Sequence, residues 1–173
     1  IPRLAIRMND QAIAEVRGIA KDQNLDEAVA GTDVLPSKLA EFGEEGKRYT
    51  KRSEHMKRLT RIERESRAGQ LLSRDDLRFL YEVDAPIQGF GYQKDPRIAE
   101  LLSERNPKQD LAFALQVKES QISTTPQEAL AGGIRFHVGN LDLRNLRSAE
   151  GLTLPQSVGG GLDLRGLQSA QGL

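Results

Sequence analysis

The chain of 173 residues carries 25 basic and 25 acidic side chains and therefore has a formal net charge of zero. This balance provides no global field that would draw the protein to nucleic acid or to an anionic membrane. The sequence contains no cysteine, which excludes disulfides, thiolate metal sites and cysteine nucleophiles. No apolar run approaches the roughly 20 residues of a membrane-spanning helix, and the first residues lack the apolar centre of a signal peptide.

The sequence leaves the cellular compartment open, because a cysteine-free protein tolerates reducing and oxidising surroundings alike. We favour the cytoplasm, with a secreted effector as the alternative. The first residue is Ile1 rather than Met, so we expect the natural N-terminus, with any targeting signal, to lie upstream.

The first two-thirds of the chain is predicted to be helical. Asn9 or Asp10 can cap a first helix. Its apolar face repeats at three- and four-residue spacing and consists of Ile13, Val16, Ile19 and Ala20. A second helix is expected to begin near Pro36, since proline suits the first helical turn, with Leu39 and Phe42 on its inner side.

A long basic helix is predicted over residues 47–67, with Gly69 as the residue that ends it. Nine basic residues face only three acidic ones within this range, which gives a local charge of +6 in a neutral chain. The basic residues are Lys47, Arg48, Lys51, Arg52, Lys57, Arg58, Arg61, Arg64 and Arg67. Such a stripe can bind phosphate groups. The alternative is a solvated helix whose charges pair with acids elsewhere, for instance Glu41, Glu44 and Glu45.

Several shorter helices are predicted downstream from their capping residues. Ser73 and Asp95 suit helix N-caps, and Asp75 and Asp76 favour a first helical turn. Further short helices are expected after Asn106-Pro107 and at Thr124-Thr125-Pro126, before Gly132-Gly133 ends the helical region.

No pattern of catalytic or metal-binding residues emerges from the sequence. His55 and His137 are the only histidines, and we interpret both as surface residues, His55 on the basic helix and His137 on a strand. Gly89 and Gly91 are interpreted as bends around Phe90, because no phosphate-binding glycine motif is present. We therefore expect a non-enzymatic protein with no catalytic residue, no cofactor and no metal.

The last third of the chain repeats itself. The segment 141–152 (LDLRNLRSAEGL) recurs at 162–173 (LDLRGLQSAQGL), so nine of the 12 aligned positions are identical at an offset of 21 residues. Apolar residues alternate from Ile134 onward, which favours short strands, with glycines between them. A fixed period of this length is typical of solenoids, in which successive turns stack on each other.

The repeat unit resembles bacterial leucine-rich repeats. The likeness lies in the Leu154-Pro155 start, the Leu-x-Leu-x-x-Leu strand beginning at Leu162, and the period. It departs from that family at the asparagine that normally ends the strand motif, since Asn145 lies one place early and Gly166 is its equivalent. The resemblance implies a leucine-rich-repeat-like β-solenoid, or a related parallel β-solenoid. The helical region is similar to uncharacterised heads that precede such repeats in bacterial proteins.

The predicted fold class is therefore α+β, with two domains. We predict that residues 1–131 form a helical head. This head is expected to cap residues 132–173, which are predicted to form a short solenoid with a 21-residue period. Because the second copy stops at Leu173 without a cap, we expect further repeats to follow it.

We expect the function to be protein binding on the repeat surface. Asp142, Arg144, Asp163 and Arg165 lie between the leucines and would form charged ladders on an exposed strand face. The structural alternative is that neighbouring Asp and Arg columns only neutralise each other. The other functional hypothesis is nucleic-acid or anionic-surface binding through the basic helix. An enzyme whose active centre lies in the helical head or beyond Leu173 is a further alternative, and neither the partner nor the oligomeric state can be predicted.

Overall fold

The computed structural model describes residues 4–18 and 34–168 of the chain. Within them the protein divides into two compact units. Unit 1 holds residues 4–18, 34–60 and 88–94, and unit 2 holds residues 61–87 and 95–168. Ile19, Ala20 and the last five residues of the second repeat copy lie outside the described residues.

The described residues contain both helices and strands, so the α+β class is confirmed. The helices are α1 (Val34–Glu41), α2 (Gly43–Arg67), α3 (Arg74–Leu80), α4 (Pro96–Ser103), α5 (Pro107–Leu115), a short 3₁₀ helix (Glu119–Gln121) and α6 (Pro126–Ala129). The strands are β1 (Leu4–Asn9), β2 (Ala12–Gly18), β3 (Ile122–Ser123), β4 (Phe136–His137), β5 (Leu141–Asp142), β6 (Ser157–Val158) and β7 (Leu162–Asp163). The predicted segments 1–131 and 132–173 both contribute to unit 2, and the domain boundary between them stays a prediction.

Unit 1 begins with an antiparallel hairpin where we predicted a helix. Asp10, with a φ of 53°, lies in the loop that joins β1 to β2, and aspartate tolerates this left-handed backbone. Arg7 pairs with Glu15 while Met8 pairs with Ile13, so Ala14 is an extra residue in β2. Such a bulge shifts the alternation of side chains along a strand. Ile13 and Val16 are therefore both buried although three positions separate them. Because this spacing is also typical of the apolar face of a helix, the sequence favoured a helix here.

The core of unit 1 forms where this hairpin meets the first helices. Ile13, Val16 and Leu39 are buried together, and Phe42 and Tyr49 pack against them. Gly46 on α2 is buried against α1, where an added Cβ would overlap the carbonyl oxygen of Leu39. Glycine therefore allows the close approach of the two helices, which explains its place inside a helix that it would otherwise weaken.

Unit 2 contains the helices that the sequence predicted from their caps. The side chain of Ser73 accepts a hydrogen bond from the N–H of Asp76, and that of Asp95 accepts one from the N–H of Arg97. Asn106 caps α5 and Thr125 caps α6 in the same way. Each cap satisfies N–H groups that have no partner within the helix.

The predicted solenoid is wrong. The strands of unit 2 form two small separate parallel sheets instead, one with the order β3-β4-β6 and one that pairs β5 with β7. Each of these strands is two residues long. The pairing of β5 with β7 ends early because a turn follows each strand, at Arg144-Asn145 and at Arg165-Gly166. The repeat therefore places its two copies side by side without building a continuous sheet, and the resemblance to leucine-rich repeats does not extend to the fold.

The apolar residues of the repeat still form a core. Leu141 and Leu143 are buried with Ala129 of α6, and Leu146, Leu154, Val158 and Leu164 pack around them. This cluster fixes the outward direction of the residues between the leucines, since side chains alternate along an extended strand. Asp142 and Arg144 are accordingly exposed.

Candidate interaction surface

Asp142 and Asp163, two of the four residues predicted to bind a partner, lie opposite each other on neighbouring strands. The backbone register pairs Leu141 with Leu162 and Asp142 with Asp163. Arg144 and Arg165 follow two positions after each aspartate. The structure thus brings together the four predicted residues, and we call Asp142, Arg144, Asp163 and Arg165 the Asp–Arg cluster.

Each aspartate of the cluster forms a bidentate ion pair with the arginine that follows it two residues later in the sequence. The Nη2 of Arg144 donates to Oδ2 of Asp142 at 2.6 Å, and its Nε donates to Oδ1 at 3.0 Å. The same two distances recur between Arg165 and Asp163. The backbone N–H of each arginine also donates to the aspartate Oδ1. Paired donors of this kind fix the plane of the guanidinium group as well as its position.

One contact crosses from the first strand to the second. The Nε of Arg144 lies 3.5 Å from Oδ2 of Asp163. The hydrogen bonds from Arg165, helped by the charge of Arg144, lower the pKa of Asp163 to about 2. The pKa of Asp142 is also lowered, first by its hydrogen bonds to Arg144, although the nearby carboxylate of Asp163 opposes this shift. Both carboxylates are therefore charged at neutral pH.

The cluster lines an open groove with a volume of about 560 Å³. Its remaining walls come from the two repeat copies, from Asn140 and Gly161 onward. Leu162 adds an apolar patch, since 43% of this residue is exposed while its register partner Leu141 is fully buried. The groove thus combines ordered charges with one exposed aliphatic side chain.

The basic helix, which is the alternative site, lies on α2, and several of its basic side chains form ion pairs within the protein. In unit 1, Lys47 pairs with Glu44 at 2.7 Å and Arg48 with Glu45 at 3.7 Å. Glu41, another predicted partner, pairs with Lys38 of α1 instead.

The C-terminal part of α2 belongs to unit 2 and is paired as well. Arg61 binds both Glu65 and the buried carboxylate of Asp76, and Arg67 binds Glu63.

The other basic residues of α2 differ in exposure. Lys51 and Arg64 are exposed, and Arg52 is half-buried. Lys57 and Arg58 also take part in interactions within the protein. These contacts agree with a helix balanced by acids, and anion binding through it stays a prediction.

His137 is buried, so its interpretation as a surface residue is wrong. It lies on β4, the middle strand of its sheet, where Phe136 and His137 are 2% and 1% exposed. Its Nδ1 lies 2.9 Å from the hydroxyl of Ser123 on β3, which is also buried. No pattern in the sequence indicates this pair, because only the parallel register of β3 and β4 brings together residues that lie 14 positions apart. Because both side chains are buried, the hydrogen bond between them joins β3 to β4.

His55 lies half-buried on α2 within unit 1. Its Nδ1 accepts a hydrogen bond from the backbone N–H of Gln88 at 2.9 Å. Partial burial, together with the charges of Lys51 and Arg58, lowers its pKa. The side chain therefore anchors the loop that carries Phe90, whose ring lies 5.2 Å from that of Tyr49.

Across residues 4–18 and 34–168, no three His, Asp or Glu side chains gather in a way that could hold a metal ion. None of the helices in this part of the chain has both the length and the apolar character needed to cross a bilayer. No family model, curated protein or solved structure matches the chain in comparisons with known proteins.

Proposed function

We propose that the protein is a non-enzymatic binding module whose partner protein docks on the groove lined by the Asp–Arg cluster. The observation that carries this proposal is the repetition of one ion-pair geometry on two adjacent strands, next to an exposed leucine. Arginine is one of the residue types that most often contribute a large share of the binding energy at protein interfaces.

Order within the groove supports the proposal further. Each arginine is held by two side-chain hydrogen bonds to its aspartate. Binding therefore costs less side-chain entropy than it would if these arginines rotated freely. Arg144 and Arg165 still expose 57% and 77% of their side chains, so their guanidinium groups remain accessible.

Affinity capture with the purified chain as bait tests this function. The groove variant replaces Arg144 and Arg165 by Gln. The matched control replaces Arg7 and Arg17 by Gln, because these exposed arginines also pair with a carboxylate, Glu15, in the hairpin of unit 1. Circular dichroism first establishes that both variants fold.

We expect the wild type and the control to capture the same partner protein, and we expect the groove variant not to capture it. Titration of that purified protein should then show at least about tenfold weaker binding to the groove variant, which corresponds to about 1.4 kcal/mol. Equal affinity for the wild type and the groove variant would contradict the assignment of the binding surface.

A further inference from the structure

The loop of residues 88–94 lies against the N-terminal half of α2, and both belong to unit 1. The backbone N–H of Gln88 donates to Nδ1 of His55 at 2.9 Å. Two residues further along the loop, the ring of Phe90 lies 5.2 Å from that of Tyr49 at an interplanar angle of 53°. The loop is therefore fixed to the basic helix at two points that lie six positions apart on α2.

This loop carries two aromatic side chains that face solvent. Tyr92 is fully exposed, and Phe90 is 49% exposed although its ring also contacts Tyr49. With its whole surface in solvent, the ring of Tyr92 adds nothing to the core and is available to a ligand. The basic helix itself, residues 47–67, contains Tyr49 as its single aromatic residue. The loop thus brings to the helix the aromatic rings that its own sequence lacks.

Basic side chains lie on α2 next to the contact between Tyr49 and Phe90. Residues 47–60 contain six basic residues and one acidic residue, which gives a local charge of +5 in a chain whose net charge is zero. Arg48 precedes Tyr49 in the sequence, and Arg52 lies one helical turn after Tyr49 on the same face. Exposed aromatic rings and positive charges therefore occupy one region of unit 1.

Part of this charge is available to a ligand. Arg48 lies 3.7 Å from Glu45, and 68% of its side chain is exposed. Exposed ion pairs of this kind contribute little to stability, so a phosphate group can replace Glu45 as the partner of Arg48. Within residues 4–18 and 34–168, no carboxylate forms an ion pair with Lys51 or Arg52.

We propose that unit 1 binds single-stranded nucleic acid on this surface, a function beyond that proposed for the groove. Unpaired bases stack on Phe90 and Tyr92. Arg48, Lys51 and Arg52 contact the phosphates. Single strands are recognised by this combination of aromatic rings and basic side chains, because every base offers a face for stacking. In a duplex the bases are already stacked on each other, so the loop favours the single strand.

Fluorescence anisotropy tests this inference with a labelled oligothymidylate of about 12 nucleotides, within the usual size of a single-strand site, and with a labelled duplex of the same length. The variants are Tyr92→Ala and Arg48→Gln. The control for the first is Phe113→Ala, at an exposed aromatic residue of unit 2. The control for the second is Arg17→Gln, which removes the same charge from an arginine that is 71% exposed and also pairs with a glutamate. Circular dichroism first establishes that each variant folds.

Tyr92→Ala should weaken binding of the oligothymidylate by about fivefold or more, because a base loses its stacking surface. Full exposure of Tyr92 makes this variant safe for the fold. Arg48→Gln should lower the slope of log Kd against log salt by about 0.7, the contribution of one phosphate contact to a single strand. Phe113→Ala and Arg17→Gln should bind like the wild type, and the duplex should bind more weakly than the single strand.

No binding of the oligothymidylate at low salt, or equal affinity of the wild type and Tyr92→Ala, would overturn the inference. Binding of anionic phospholipid vesicles that depends on Tyr92, without binding of the oligothymidylate, would also overturn it, since a membrane would then be the ligand of this surface. The groove variant, with Gln at positions 144 and 165, should bind the oligothymidylate like the wild type. The proposed function and this inference can therefore fail independently of each other.

Discussion

The Oδ1 atom of Asn140 accepts a hydrogen bond from the backbone N–H of Gly161 at 2.7 Å, which joins two residues 21 positions apart. The sequence period thus appears in the structure as a direct contact between the two copies. The bond lies immediately before β5 and β7, where it helps to align Leu141 with Leu162. The groove of the Asp–Arg cluster depends on this alignment.

Replacing Asn140 by Ala should destabilise unit 2 by about 0.5–1.5 kcal/mol, the net contribution of a typical hydrogen bond. Urea unfolding followed by circular dichroism measures the change. Asn145→Ala is the control, since Asn145 is exposed in the turn after β5, and it should change the stability by less than about 0.5 kcal/mol. Equal losses in the two variants would argue against a structural role for the Asn140 amide.

Gly166→Ala should destabilise the protein more than Gly161→Ala. A Cβ on Gly166 would overlap the carbonyl oxygen of Arg144 and lie 2.8 Å from that of Leu146, and neither backbone group can move aside freely. We expect a loss of about 1–3 kcal/mol from this overpacking. At Gly161 the nearest atom is 3.6 Å away, at ordinary contact distance. Thermal unfolding of both variants checks the prediction, which fails if their midpoints coincide.

Ser123→Ala should destabilise the protein by about 1–3 kcal/mol, because it leaves the buried Nδ1 of His137 without its hydroxyl partner. Ser120→Ala serves as the control, since Ser120 is exposed on the 3₁₀ helix nearby. Chemical denaturation quantifies both. If Ser123→Ala is as stable as the control, the hydrogen bond between β3 and β4 contributes little to the fold.

The carboxylate of Asp163 should titrate with a pKa of about 2, below its ordinary value of 3.8, because Arg165 donates hydrogen bonds to the charged form. Its contribution to stability is therefore complete only above about pH 5 and is lost progressively as the pH falls through the ordinary pKa and then through the pKa of the folded state. Carboxyl ¹³C NMR measures this pKa directly. Arg165→Gln should raise the pKa, whereas Arg147→Gln, at an exposed arginine outside the groove, should leave it unchanged. A pKa of 3.8 in the wild type would show that the ion pair does not form.

Local signals in the sequence predicted much of unit 2. The helix caps Ser73, Asp95 and Thr125 act within three residues of their partners, so their chemistry is visible in a short stretch of chain. The repeat likewise placed Asp142 and Asp163 together, because identical segments at a fixed period can pair in register. The sequence could not show that each pairing ends after two residues, since this depends on the turns that follow the strands.

The sequence did not predict the features that depend on pairing between strands, for the same reason in each case. Ile13 and Val16 have helical spacing, and only the pairing with β1 reveals the bulge that buries both on a strand. His137 alternates with apolar residues in the sequence, yet β3 and β6 flank it on either side in the folded sheet. In both cases the partner strand decides burial, and a pattern read along one segment does not contain it.

The most direct test of the central claim, that the groove of the Asp–Arg cluster is the binding surface, is hydrogen–deuterium exchange with and without a captured partner protein. We predict that binding slows amide hydrogen exchange in residues 140–144 and 161–165, which line the groove. Slower exchange confined to the basic helix, with no change in these two segments, would contradict the account and would assign binding to α2 instead.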